Sequence, residues 1–512
     1  MRRLILGLAA AGLGLHAQEA PVFEGSVVND LTVQQNELAR RQPVPGQPAP
    51  APKDGWRQYQ ESLTLNGSLR FADGPSLLLS LTGRQVNFYQ QASDLTLETP
   101  DRSLYRKTLT FQWGGFTARA GDFHALLGRG LVLSVLPIDK LLKERTIEGG
   151  DLRYQSDRFE FRALGGKVQT ETRDQAWRVA GGEVRAALLQ GTEVGTHRLG
   201  FHAARIEDVA TPNLDPFLLP LLRERRTHSV SLGGDGVGQV LDYYVEEARL
   251  TWERKPDDFT EILPGRATYA NLTLRPGPLF ILGEYRRYER FETDLLHPEN
   301  TLNNPPLADR DDEKNNLVHS EVARVLVQVA GREPALALFV SAGALKENGG
   351  GPFDPVKERG HDVYGGFSME ELGDWFSFSA TYGVRHVLIP ERRTDAAMTI
   401  RFTPRWSLEL KVRDKRHRDA AQQLVRESDY DAQLSCSPRF SLYVRQQYRT
   451  DTGRNFKDPW FPSGGLRVNL WKGSYLDVSG GSIRGGLVCS GGQCREMPDF
   501  KGWKVATHFV FR

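Results

Sequence analysis

The chain has 512 residues, 66 basic and 64 acidic, with 39% hydrophobic residues and three cysteines. This near-neutral balance gives no strong field for nucleic acid, and without a CxxCH run or a cysteine cluster the sequence argues against a redox cofactor. Beyond its first twenty residues there is no apolar run long enough for a transmembrane helix, and 51 glycines spread along the chain suit strands with tight turns better than long helices.

The opening MRRLILGLAAAGLGLHAQEA has the anatomy of a secretory signal peptide: Arg2 and Arg3, an apolar stretch from Leu4 to Leu15, and a small residue, Ala17, at the expected cut. Residues 1–17 are therefore read as a signal peptide and 18–512 as the mature chain. Removing the two arginines leaves 64 basic against 64 acidic residues, a mature net charge of zero.

FEGSVVNDLTV (Phe23 to Val33) reads as the first strand, which makes the Pro-rich stretch 40–55 an external loop; otherwise that stretch is a leader. From there one pattern recurs: apolar and polar residues alternate for about ten positions, then break at Gly, Pro, Asp or Asn. Leu63, Leu65 and Leu69 share one face, as do Leu77, Leu79 and Leu81, then Tyr105, Leu109, Phe111 and Trp113.

GDFHALLGRGLVLSVLP (Gly121 to Pro137) departs from the pattern. Gly121, Gly128 and Gly130 permit sharp bends, so the stretch is expected either to fold inward, with Asp122, His124 and Arg129 lining a lumen, or to form a bulged hairpin. Alternation resumes at Phe159, Phe161 and Ala163. In LDYYVEEARLTWE the register fails across Glu246 and Glu247; a bulge there would turn Ala248, Leu250 and Trp252 outward. In FILGEYRRY, Glu284 and Arg286 face inward if Leu279, Ile281 and Tyr285 face outward. Residues 290–316 and 346–362 are polar and read as long loops. The acidic run Ala308 to Asn316 lacks the Gly and distal Glu of a calcium loop and reads as a solvated charge cluster. Further strands follow at Leu336 to Ala342, Phe376 to Tyr382 and Phe440 to Val444.

Near the end, Cys489 and Cys494 flank a short Gly-containing turn, suited to a disulfide after export or, less naturally without His or further Cys, to a metal pair. Cys436 is left as a free thiol. The final strand GWKVATHFVFR puts Trp503, Val505, Thr507, Phe509 and Phe511 on one face, with Lys504 on the other.

An exported chain of many antiparallel strands forms either a string of soluble sandwiches or one closed barrel in the outer membrane. No modules of about 100 residues are visible. Ten-residue alternating strands with unequal turns match a membrane barrel, whose sheet closes because lipid offers backbone groups no partners. The expected fold is all-β: a single large antiparallel transmembrane β-barrel of 18–24 strands after a cleaved signal peptide, in the outer membrane of a Gram-negative bacterium. Its partners would be membrane lipid and, through the aromatic C-terminal strand, the outer-membrane assembly machinery.

Four segments together, GDFHALLGRGLVL (Gly121 to Leu133), GEYRRYERF (Gly283 to Phe291), NNPPL (Asn303 to Leu307) and RGGLVCSGGQCREMPDFKG (Arg484 to Gly502), resemble an uncharacterised family of outer-membrane barrels of Gram-negative bacteria, a domain of unknown function. The resemblance implies a barrel over the whole mature chain and brings no catalytic residue.

No GxSxG, HExxH or P-loop occurs, and His197, His202 and Ser320 are not fixed together by any motif, so an enzyme is not expected. No cofactor or metal is expected either, and too few residues precede the first strands for a globular plug. Inward charges of both signs either line a wet path for small polar solutes or pair and fill the lumen. The corresponding functions are a passive pore or channel, and a surface-exposed binding or structural barrel with a plugged lumen.

Overall fold

The computed structural model describes residues 22–36, 56–71, 74–86, 89–90, 96–97, 101–137, 145–169, 177–192, 195–208, 224–236, 240–253, 264–291, 319–330, 335–348, 357–372, 374–386, 390–418, 423–450, 458–471, 473–490, 493–497 and 500–511. The signal peptide 1–17, the Pro-rich stretch 40–55, positions 292–316 of the first long loop and the acidic run within it lie outside these residues.

Among the described residues twenty-four strands form one antiparallel sheet. They are β1 (Val22–Asn36), β2 (Trp56–Arg70), β3 (Ser76–Val86), β4 (Asp101–Trp113), β5 (Phe116–Phe123), β6 (Thr146–Gln155), β7 (Phe159–Gln169) and β8 (Trp177–Thr192). Next come β9 (Gly195–Asp208), β10 (Glu224–Gly236), β11 (Leu241–Glu253), β12 (Gly265–Leu274), β13 (Leu279–Glu289), β14 (His319–Ala330), β15 (Ala335–Asn348) and β16 (Lys357–Leu372). The last are β17 (Phe376–His386), β18 (Glu391–Arg401), β19 (Trp406–Arg418), β20 (Leu424–Cys436), β21 (Phe440–Arg449), β22 (Trp460–Asn469), β23 (Tyr475–Ile483) and β24 (Phe500–Phe511). Each strand pairs with the next, and β24 pairs back onto β1, Phe511 opposite Val27 and Gly502 opposite Asn36. The sheet is therefore a closed barrel without a free edge, which satisfies every ladder and removes the template for chain-to-chain pairing.

β1 begins and β24 ends at the same rim, as an even strand count requires. Tight connections such as 71–75, 114–115 and 156–158 join strands at that rim, whereas 37–55, 124–145 and 290–318 join them at the other. Alternation decides the faces. Leu338, Val340, Leu442 and Val444 are 54%, 56%, 47% and 55% exposed on the outer wall, an arrangement stable only against hydrocarbon. Exposed Trp113, Phe116, Trp375, Phe402, Trp471 and Phe511 gather at the tight-turn rim as an aromatic girdle. The C-terminal strand joins it: Phe509 stacks on Trp471 at 5.7 Å between ring centroids.

Two expectations need correction. β11 keeps an unbroken register with both neighbours, so no bulge forms and Ala248 and Leu250 point inward, both 0% exposed. The strand overhangs the apolar band; there Glu247, Arg249 and Thr251 face outward to water, and the inward face meets protein instead. Similarly, the loop expected at 346–362 is shorter, because Lys346–Asn348 pair in β15 with Lys357–Arg359 of β16. Charged residues can occupy strands wherever the wall stands clear of lipid.

Candidate functional site in the barrel interior

After β5 the chain turns into the barrel. Ala125–Leu127 pairs with Leu133–Val135, and the intervening turn is tight: Gly128 and Gly130 have φ of 60° and 93°, and the Gly130 N–H donates to the Leu127 carbonyl at 3.1 Å. A side chain at either glycine would strain this left-handed backbone. Ala125, Leu127, Leu131, Val132, Leu133 and Val135 are all 0–1% exposed. They are covered by inward faces of the wall. One cluster joins the fold to Ile147, Leu164, Val168, Trp177, Val179, Ala204 and Ile206 on β6–β9. A second joins Leu131 to Ala248, Leu250, Ala267, Tyr269, Tyr288 and Phe291. Burial of this much apolar surface, at about 25 cal/mol per Å², holds the fold to the wall from β6 to β13.

Polar contacts fix its tip. The Gly128 N–H donates to Glu183 Oε2 at 3.3 Å, and the next N–H, of Arg129, donates to Glu246 Oε2 at 2.8 Å. Glu246 also accepts from Ser229 Oγ at 2.6 Å and Tyr244 Oη at 2.7 Å. Glu183 is bracketed by Arg185 at 2.9 Å and by His202 Nδ1 at 3.0 Å, whose Nε2 meets Ser231 Oγ at 2.9 Å. Arg162 grips the base of the fold: it donates to the His124 and Leu126 carbonyls at 3.3 and 3.2 Å while bound to Asp151 at 2.7 Å. Two buried carboxylates thus supply the acceptors that an irregular backbone inside a barrel would otherwise lack.

The sequence-predicted residues divide. Arg129 sits exposed at the tip, its guanidinium carbon 5.6 and 5.8 Å from the Tyr244 and Tyr269 ring centroids. Glu284 and Arg286 point inward on β13, 4% and 3% exposed, in register with Asn271 and Tyr269. His124 lies partly buried where the fold leaves the wall, its carbonyl held by Arg162. Asp122 does not join them. It pairs in register with Glu148, while Phe123 and Ile147 beside them carry the inward face. Asp122 therefore lies on the outer side, accepting from the Lys107 N–H at 2.8 Å near an ion pair of Lys107 with Glu148.

Sequence reasoning missed Glu183 and took Glu246 only as a break in register; the available signals were a lone acid among small residues in AGGEV and a charge breaking the alternation in YYVEE. It also missed that His202 joins Glu183 and Ser231. With Ser231 5% and His202 2% exposed beneath the fold, that line of bonds braces the wall. His197 points to the opposite face of β9, bonded to Tyr243 Oη at 2.7 Å, and Ser320 lies on β14.

The remaining wall differs. On β19–β22, inward Lys411, Arg413, Arg445 and Arg467 have side chains 52%, 55%, 48% and 48% exposed, paired with Glu409, Asp395, Asp431 and Asp477. The fold packs on β6–β13, eight of the twenty-four strands; the cations of β19–β22 are about half exposed, whereas inward Arg324 and Asp362 on β14 and β16 form a buried pair at 2.8 Å. In the ribbon Gly486–Ser490 with Gln493–Met497, Cys489 and Cys494 stand directly opposite in register, and Cys436 is free and buried.

The closed sheet, its exposed apolar belt and its aromatic girdle define a transmembrane β-barrel of the outer-membrane class. Residues 398–511 match a family of unknown function (DUF6029). That match and the barrel together fit the uncharacterised family of outer-membrane barrels that the sequence segments resemble. No curated protein matches the chain. Among solved structures the chain is similar to the siderophore receptor PirA from Pseudomonas aeruginosa, at 8% identity over 96% of this chain and 81% of that one, with a TM-score of 0.50. It also aligns with the copper transporter OprC (10% identity, 97% and 81% covered, TM-score 0.49) and with the P pilus usher PapC translocation pore (8%, 96% and 100%, 0.43). At such identities the likeness to PirA is one of fold.

Proposed function

We propose that the protein is an outer-membrane channel for small polar solutes, narrowed by the fold at Ala125–Val135. The observation that carries this reading is the division of the interior. The fold is bonded to β6–β13, whereas the cations on β19–β22 are about half exposed, as a polar solute path requires. Arg129, Glu284 and Arg286 belong to the narrow part. The long-connection rim faces the cell exterior and the girdled rim the periplasm, since barrel loops are long outside and short inside. The aromatic C-terminal strand is the segment offered to the assembly machinery, and Cys489 and Cys494 are joined as a disulfide after export.

The experiment is conductance in planar bilayers. Discrete, ohmic steps are expected from the purified barrel. A membrane that stays sealed at high protein load would replace this reading by the alternative, a plugged barrel whose long loops bind a surface partner; deleting residues 292–316, which spares buried Phe291, would then abolish that binding without unfolding the protein.

A further inference from the structure

Six consecutive strands of the solvated wall change abruptly in the bulk of their inward side chains. β19, β20 and β21 carry Glu409 and Lys411, Asp431 and Gln433, and Tyr443 and Arg445. On β22 and β23 the wall continues with Ser463, Gly464, Ser479 and Gly480, and β24 then raises Lys504. The step from long to short side chains leaves a concave bay of about 380 Å³, the size of a small-molecule site. Tyr443 is pinned along its edge by a bond from Oη to Asp477 at 3.0 Å, passing over Gly465, where a Cβ would strike that hydroxyl.

Charge decides what the bay accepts. Lys411 is matched by Glu409 at 2.7 Å and Arg445 by Asp431 at 2.5 Å. Lys504 is exposed and has no ion-pair or hydrogen-bond partner among the described residues. The three cations and two carboxylates of the lining leave one positive charge, located at Lys504. Ser479, directly opposite Lys504 in register with its hydroxyl on Tyr443, and Ser463 further along the wall add hydroxyls to the lining, and Ile483 and Phe500, opposite each other in register, form an apolar edge.

We infer that this bay is a binding subsite for a small organic carboxylate, its anionic end on Lys504 and the serine hydroxyls and its body against Ile483 and Phe500. The inference rests on the lumen being a solute path, and deepens that reading by naming a substrate class.

The test is calorimetric titration of the folded full-length mature barrel in detergent with benzoate and with its neutral isostere benzamide. Benzoate is expected to bind and benzamide to bind at least roughly ten-fold more weakly, the loss of one charge-assisted contact. Lys504→Met should weaken benzoate by a similar factor, and Ser479→Leu, which fills the bay, should weaken it too, both variants keeping the heat-modifiable mobility of a folded barrel. Equal binding of the two probes, unchanged benzoate affinity in Lys504→Met, or no benzoate binding to the wild type would overturn the inference. If either variant fails to fold, the benzoate–benzamide comparison on the wild type still decides. Conductance is scored separately: binding without current keeps the subsite and removes the channel, and current without binding does the reverse.

Discussion

Replacing Glu246 by alanine should release the tip of the inward fold while leaving the barrel closed. Glu246 is 0% exposed and accepts three hydrogen bonds, from Ser229, Tyr244 and the Arg129 N–H. Bonds to a buried charge contribute about 1.5–3 kcal/mol each, and water entering the vacated space recovers part of the sum, so a net loss of about 3–5 kcal/mol is reasonable. Most of it falls on the seated state, because the 24-strand ladder does not use this carboxylate. At about 1.4 kcal/mol per decade the open population rises by roughly two to three orders of magnitude. The assay uses a chain whose three native cysteines are serine and in which Ala125, 1% exposed, is replaced by cysteine. A hydrophilic thiol reagent should label Ala125→Cys slowly in the parent and about 100-fold faster with Glu246→Ala. Equal labelling rates, with both chains folded, would refute the claim that Glu246 holds the fold.

Gly128→Ala places a Cβ on a residue with φ of 60° and against the Glu246 carboxylate; it should accelerate labelling in the same assay, and an unchanged rate would contradict the tightness of the turn. Val444→Arg, on the lipid face and 55% exposed, should lower unfolding stability in lipid vesicles by about 2–4 kcal/mol, while Gln433→Arg, facing the lumen one strand away, should cost far less; equal losses would contradict the face assignment. Under non-reducing conditions a peptide joining Cys489 to Cys494 should appear by mass spectrometry, with Cys436 alkylated only after unfolding; alkylation of all three without reduction would rule the disulfide out.

Much of the fold was legible because a barrel wall is a local pattern. Period-two alternation, as in Phe440, Leu442 and Val444, needs no knowledge of distant contacts, and the aromatic face of β24 follows from five residues. The bend was visible for the same reason, since Gly128 and Gly130 mark backbone that other residues avoid, but the local pattern did not choose between an inward fold and a bulged hairpin. What failed was the assumption that outward always means lipid. Ala248 and Leu250 turn inward because β11 extends past the apolar belt, where the fold meets its inner face, and Asp122 turns outward in register with Glu148, covered there beside Lys107. The anchors Glu183 and Glu246 lie 55 and 117 residues from the N–H groups they accept, a separation that no local pattern encodes.

Single-channel conductance of two chains, the wild type and one with residues 125–135 replaced by a short Gly-Ser linker, tests the central claim most directly. A fold packed inside the wall from β6 to β13 predicts discrete steps in the wild type and distinctly larger ones in the deletion. Steps of equal size in the two chains would contradict it.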